Sequence, residues 1–283
     1  MSKIKVAELF YSIQGEGRYM GVPSVFLRTF GCNFTCASFG MPAGEKSIEP
    51  DQIAKRIGEF SSYDMLPLAT TGCDSYASWH PKFKHLSPMV ETDDLAEAII
   101  QTLPFLGWKD EHLVITGGEP LLGWQKAYPD LLDHPKMKGL SDITFETNGT
   151  QLLTDEFTKY LKRWSTTHSS HGSITFSVSP KLSCSGEDSA VAIRPDIVAS
   201  YANVGYTYLK FVVATDADIR EAVEAVDQYR KAGFRGPVYL MPLGGVESVY
   251  KLNNRRVAEA AMKLGYRYSD RLQVVLWKNA WGT

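Results

Sequence analysis

No run of apolar residues in this chain approaches the roughly 20 that a membrane-crossing helix needs. The opening segment Met1–Val6 lacks the apolar centre of a signal peptide, so the expected location is the cytoplasm. Charge of one sign is also missing: 30 Lys and Arg against 32 Asp and Glu leave a formal net charge of −2. That balance is no footprint of a nucleic acid or a membrane surface, and neither is expected as a direct partner. No internal repeat, low-complexity tract or clear linker interrupts the chain. Cysteine is scarce, at four in 283 residues. In a reducing compartment four cysteines read as metal ligands, reactive thiols or core fillers before they read as disulfides.

What is present is ordinary globular composition, 44% hydrophobic and 22% charged, enough for one large core or two modest ones. Short β-rich runs alternate with amphipathic stretches. Val22–Arg28 is the first strand expected, followed by His112–Thr116, Asp142–Thr147, Ser173–Val178, Tyr208–Val213 and Val238–Met241. Such near-continuous apolar runs suit strands buried on both faces of a parallel sheet. Between them, Leu95, Ile99 and Leu103 recur at helical spacing after Thr92-Asp93-Asp94, a helix start signal. Ile219, Val223 and Val226 form a second stripe that ends near Gly233, and Val257, Ala261 and Leu264 a third that ends at Gly265. Strand and helix alternating in this way predict βα units and an α/β sheet or barrel.

Functional loops in such folds follow the carboxyl ends of strands. Five motifs occupy that position here: Gly31-Cys32, Gly117-Gly118-Glu119-Pro120, Thr147-Asn148-Gly149-Thr150, Ser179-Pro180-Lys181 and Pro242-Leu243-Gly244-Gly245. Any one of them alone reads as a turn; five on one sheet edge point to a site. An insertion is expected at about residues 37–72, rich in Gly and Pro and holding a short helix with Ile53, Ile57 and Phe60 on one face.

Three residues separate Cys32 from Cys36, so one tight loop presents both, while Cys73 has to be delivered from the far end of the insertion. Three thiolates on a four-iron cluster leave one iron free to bind a small molecule. The cysteines and the acidic Gly-Gly box together suggest a cluster beside a site for S-adenosylmethionine. On spacing alone a zinc site and inert buried cysteines stay open, although structural zinc usually takes four ligands. Cys184 has no partner at ligand spacing and reads as a loop or core cysteine.

The run Glu8-Leu9-Phe10-Tyr11-Ser12-Ile13-Gln14-Gly15-Glu16-Gly17 resembles the opening of the 7-carboxy-7-deazaguanine synthases, radical S-adenosylmethionine enzymes of the deazapurine pathway. Gly21–Arg28, Gly31-Cys32-Asn33, Thr116–Leu122, Glu146–Thr150, Ser179-Pro180-Lys181 and Leu209–Val213 continue the resemblance over most of the chain. The superfamily usually holds its cysteines as C-x3-C-x2-C, but the position three after Cys36 is Phe39. Cys73-Asp74-Ser75 is similar to the family's Cys-Asp-Thr, displaced by the insertion, with Gly72 where an aromatic residue usually stands.

The resemblance implies one radical S-adenosylmethionine domain over residues 1–283, folded as a modified, partial (β/α)6 barrel. It implies contraction of 6-carboxy-5,6,7,8-tetrahydropterin to 7-carboxy-7-deazaguanine with loss of ammonia. The radical is carried by the cofactor, so no side chain is assigned as catalytic. Cys32, Cys36 and Cys73 would hold a 4Fe-4S cluster and Ser75 a Mg2+ ion. Gly117, Gly118, Glu119, Asn148, Ser179, Pro180, Lys181, Met241, Pro242 and Gly244 would bind S-adenosylmethionine. Ile13, Gln14, Gly15, Glu16, Arg28, Thr116 and Thr283 would bind substrate, with Arg28 gripping its carboxylate. From the residues alone, Arg28 also reads as an ion-pair partner, Lys181 as a surface lysine and Ser75 as a turn serine. An electron donor such as flavodoxin or ferredoxin and a homodimer are implied in the same way. Two alternatives are a radical enzyme on another substrate, such as a glycyl-radical activase, and a metal-bound structural module. The activase would not explain Gln14-Gly15-Glu16 or Arg28.

Overall fold

A computed structural model of the chain describes residues 2–168 and 173–283. Its strands are β1 (Lys3–Ile13), β2 (Pro23–Thr29), β3 (Met89–Glu91), β4 (His112–Gly117), β5 (Asp142–Thr147), β6 (Ser173–Val178), β7 (Tyr206–Val213), β8 (Val238–Pro242) and β9 (Arg267–Tyr268). They form one nine-stranded sheet in the order β3-β1-β2-β4-β5-β6-β7-β8-β9. From β2 to β9 every neighbouring pair is parallel, and β1 runs antiparallel to both β2 and β3. The fold is mixed α/β, and β2 and β4 to β8 are the six runs read from the sequence.

The chain's first strand is β1, ahead of the one expected at Val22–Arg28. It went unread because Ile4 and Val6 are buried while Lys3 and Lys5 are not, so it shows no continuous apolar run. The inner strands are covered on both faces: Leu113, Val114 and Ile115 of β4 are all fully buried.

The helices form where the stripes place them, but Ile219 and Val223 of the second stripe are half-buried and Leu264 of the third is exposed. Thr92–Thr102 buries Leu95 and Ile99. Asp216–Lys231 starts with a capping box between Thr215 and Asp218 and buries Ala222, Ala225, Val226 and Tyr229. Glu247–Leu264 buries Val257 and Ala261 and stops at Gly265, whose φ of +67° suits a left-handed cap.

A second apolar cluster stands apart from the main core. Ile53, Ala54, Tyr63, Leu66 and Ala69, all from the expected insertion, pack there with Ala7, Tyr76, Ala77 and Phe83. Trp281 docks on the same cluster, its ring edge-on to Tyr63 and its indole N–H donating to the Leu66 carbonyl at 2.8 Å. No described helix is long and apolar enough to cross a membrane.

Candidate active site

Every parallel strand from β2 to β8 sends its carboxyl end, or the loop beyond it, to one cavity of about 270 Å³. Arg28 comes from β2, Thr116 and Gly117 from β4, Glu146 and Thr147 from β5, Ser177 from β6, Lys210 and Val212 from β7, and Met241 from β8. β1 contributes Glu8, Phe10 and Ile13.

Cys32, Cys36 and Cys73 line this one cavity. The insertion delivers the third thiol because its two ends are zipped together. Ser47 N–H donates to the Ala37 carbonyl and Gly72 N–H to the Phe39 carbonyl, both at 2.7 Å. Glu49 closes the stem, accepting from the Thr70 N–H at 2.6 Å and the Thr71 hydroxyl at 2.7 Å. Gly72 adopts φ +77°, and a Cβ there would stand 3.0 Å from that of Ser47. The stem therefore favours glycine at a position where the resemblance leads one to expect an aromatic ring.

The cysteine loop is pinned from other elements. The Asn148 amide donates to Asn33 Oδ1 at 2.9 Å, and Asn33 in turn donates to the Thr150 hydroxyl at 3.0 Å. Gly118 and Glu119 donate their N–H groups to the carbonyls of Thr29 (3.3 Å) and Gly31 (2.7 Å). A Cβ on Gly118 would meet the Gly31 carbonyl oxygen at 2.3 Å. The paired glycines thus let the box lie against the cysteine loop, in addition to any approach to a ligand. Burial pushes the Cys32 thiol up to about 12 and that of Cys73 to about 11, and Cys36 also well above its usual range. The Lys181 ammonium opposes the shift at all three. Lys181 is half-buried and donates to the Ser179 carbonyl (2.8 Å) and hydroxyl (3.0 Å), so it is no free surface lysine.

Glu146, also on the cavity wall, accepts from the Gln14 amide (3.2 Å) and the Thr116 hydroxyl (3.0 Å). The cavity wall also carries an ionic chain that is largely buried except at Asp74. Glu16 pairs with Lys210 and with Arg271 (3.1 Å), and Arg271 pairs with Asp74 (2.6 Å). Gln273 adds a hydrogen bond to Glu16 at 2.7 Å. Burial works against the Glu16 carboxylate, but Lys210 and Arg271 outweigh it and hold the group at about 2. Arg28 both lines the cavity and makes the ion pair foreseen as its other role, Nε to Glu8 at 2.7 Å. Its Nη1 donates to the Ser75 hydroxyl at 3.2 Å. Ser75 also stands 3.3 Å from Asp74 Oδ1.

Of the residues singled out from sequence, Gly15, Asn148, Gly244 and Thr283 lie on the cavity wall with those already described. Glu119, Pro180 and Pro242 do not: each is buried behind the wall. Glu119 is fully enclosed and accepts from the Asn148 N–H (2.7 Å), the Thr147 hydroxyl (2.8 Å) and the Leu121 N–H (3.0 Å). It ties two ligand-facing loops together instead of facing a ligand itself. Cys184 also lies outside the wall and packs against the main core. Glu8, Asp74, Glu146, Lys210, Arg271 and Gln273 went unassigned in the sequence. Glu146 and Lys210 stand inside matched motifs, but Arg271 and Gln273 carry no local signal.

Among the described residues no three His, Cys, Asp or Glu side chains are placed to hold a metal ion. The free thiols of Cys32, Cys36 and Cys73 around one cavity are a sulfur-only donor set, the kind that holds an iron–sulfur cluster.

Fold and site together define a mixed α/β protein with a thiol-walled cavity at the carboxyl ends of its parallel strands. No family model matches the chain. Curated relatives do: 7-carboxy-7-deazaguanine synthases of Halobacterium salinarum (32% identical, covering 98% of this chain and 91% of the relative) and Rhodopirellula baltica (29%, 100% and 90%). The synthase of Pyrobaculum aerophilum is 27% identical, covering 99% and 97%. Among solved structures, the crystal structure of QueE from Escherichia coli shares the fold with a TM-score of 0.54, at 20% identity over 95% of this chain and 93% of that one. The chain belongs to the 7-carboxy-7-deazaguanine synthase family.

Proposed function

We propose that this cavity converts 6-carboxy-5,6,7,8-tetrahydropterin to 7-carboxy-7-deazaguanine with loss of ammonia, by radical S-adenosylmethionine chemistry, within 7-deazapurine (queuosine-type) biosynthesis. The observation that carries the reading is the meeting of Cys32, Cys36 and Cys73 on a cavity also lined by Gln14, Arg28, Thr116 and Glu146. A glycyl-radical activase would account for the cysteines and not for the second group.

When bound, the 4Fe-4S cluster and S-adenosylmethionine supply one-electron cleavage and a radical able to take a hydrogen from the pterin. The chain's own residues bind, orient and shield. Cys32, Cys36 and Cys73 hold the cluster, and the iron charge offsets the burial that otherwise disfavours their thiolates. Gly117, Gly118, Asn148, Ser179 and Lys181 bring backbone, amide, hydroxyl and ammonium groups to the cofactor side, with Met241 and Gly244 at its edge. Glu146, steadied by Gln14 and Thr116, offers a carboxylate to the donor edge of a pterin. Arg28, oriented by Glu8, presents its remaining N–H groups to the substrate carboxylate. Ser75 beside Asp74 supplies oxygen donors suited to Mg2+.

In this reading residues 1–283 form one radical S-adenosylmethionine domain with an insertion at about 37–72, its parallel strands curved as a partial (β/α)6 barrel. A flavodoxin- or ferredoxin-like donor and a homodimer complete it, in the cytoplasm. The test is anaerobic reconstitution with iron and sulfide, then the carboxypterin assay with and without Mg2+. A deazapurine carboxylate is the expected product. 5′-Deoxyadenosine formed without it would favour another substrate, and a colourless protein carrying stoichiometric zinc would end the reading.

A further inference from the structure

Cys36 is a non-glycine residue with a left-handed backbone, φ +48°. Such a conformation is strained for a residue with a Cβ and persists only where its surroundings enforce it. The enforcing group is a carboxylate distant in sequence. One oxygen of Glu187 accepts the Cys36 N–H at 2.6 Å, the Thr35 N–H at 2.8 Å and the Thr35 hydroxyl at 3.3 Å. Its own segment is anchored to the cysteine loop: Ser38 N–H donates to the Ser185 carbonyl at 3.1 Å, and Ala192 packs against Phe34 and Cys36. Gly186 turns with φ +82° where a Cβ would strike the Ser38 hydroxyl at 2.4 Å.

We propose that Glu187 is a positioning residue for the iron–sulfur site: it locks Cys36 into its ligand conformation and keeps the site's reduction potential low. Two physical effects act in the same direction. Amide N–H groups that donate to cluster sulfur raise the potential, and the carboxylate engages two such amides itself. A fixed negative charge beside the second cysteine also disfavours adding an electron. A low potential is what reductive cleavage of a sulfonium demands. This inference rests on the cluster reading above, and the two fail differently. If that reading is wrong, wild-type protein takes up no iron; if this one is wrong, the variants match a loaded wild type.

The experiment compares Glu187→Gln and Glu187→Ala with wild type after anaerobic reconstitution, measuring iron and sulfide per chain and the midpoint potential by a redox titration followed by EPR. The amide of Glu187→Gln can still accept both N–H groups but carries no charge. It should bind iron as wild type does, with its midpoint shifted to more positive potential. Glu187→Ala frees the amides, and should lose at least half of the iron while the apo chain stays folded by circular dichroism. Unchanged potential in Glu187→Gln overturns the proposal, as does full iron uptake by a folded Glu187→Ala. If Glu187→Ala does not fold, the potential of Glu187→Gln decides alone.

Discussion

Gly118→Ala should push the cysteine loop out of place. The added methyl group would stand 2.3 Å from the Gly31 carbonyl oxygen, 2.7 Å from its carbon and 2.8 Å from the Cys32 Cβ. Cβ contacts below 3.0 Å are essentially never seen, so the loop has to withdraw by about 0.7 Å or more. It cannot do so freely, because the Glu119 N–H to Gly31 bond (2.7 Å) and the Asn148–Asn33 bond (2.9 Å) hold it from two sides. Overpacking of this kind costs about 1–3 kcal/mol. For a chain of this size a cost near 2 kcal/mol lowers the melting temperature by roughly 3–4 °C. The backbone at Gly118 is not left-handed, so the effect is steric and not conformational. Gly107 supplies the control: a Cβ there meets nothing within 4 Å and its φ is not positive. The assay is thermal unfolding of the apo proteins, followed by iron uptake. Gly118→Ala should melt earlier and bind less iron, while Gly107→Ala should stay within about 0.5 kcal/mol of wild type. Wild-type melting and iron content in Gly118→Ala would refute the claim that the box is packed against the cysteine loop.

Cys73→Ala should abolish cluster assembly, read as loss of the brown chromophore and of iron after reconstitution; retained iron and turnover would remove Cys73 from the ligand set. Arg271→Ala leaves Glu16 with Lys210 alone and the 35% exposed Asp74 without its ion pair, a loss of about 3 kcal/mol, the low end for breaking a buried pair, that urea unfolding would register. His112 is buried, its ring against Thr144 (2.8 Å) and Tyr19, and burial lowers its pKa to about 4 from the ordinary 6.5. The neutral ring therefore supports the fold fully above pH 6.5, and that support is lost as pH falls from 6.5 toward 4, on the order of 3 kcal/mol in all. Urea unfolding between pH 8 and 4.5 should show this slope in wild type and less of it in His112→Gln.

The order of residues sufficed wherever the controlling interactions are local. Apolar runs marked β2 and β4 to β8, helical stripes marked three long helices, and glycine- or asparagine-bearing turns marked the loops at the strand ends. These signals depend on neighbours within a few positions, so they are written along the chain. Strand β1 is not legible in the same way, because alternation with lysine hides a half-covered strand. Glu119 lies fully enclosed behind the cavity wall, which its motif does not reveal, because a motif records which residues are needed and not which way they point.

Only the folded chain settles the rest. The ionic chain Lys210–Glu16–Arg271–Asp74 joins residues from β7, the segment after β1, the segment after β9 and the end of the insertion. Cys73 reaches Cys36 because a stem closed by Glu49 brings the ends of the intervening loop together, and Cys36 itself is held by a carboxylate from beyond β6. Charges and thiols of this kind have no period and no fixed spacing. Their partners are chosen by which strand ends the sheet order brings side by side, and that order exists only in three dimensions.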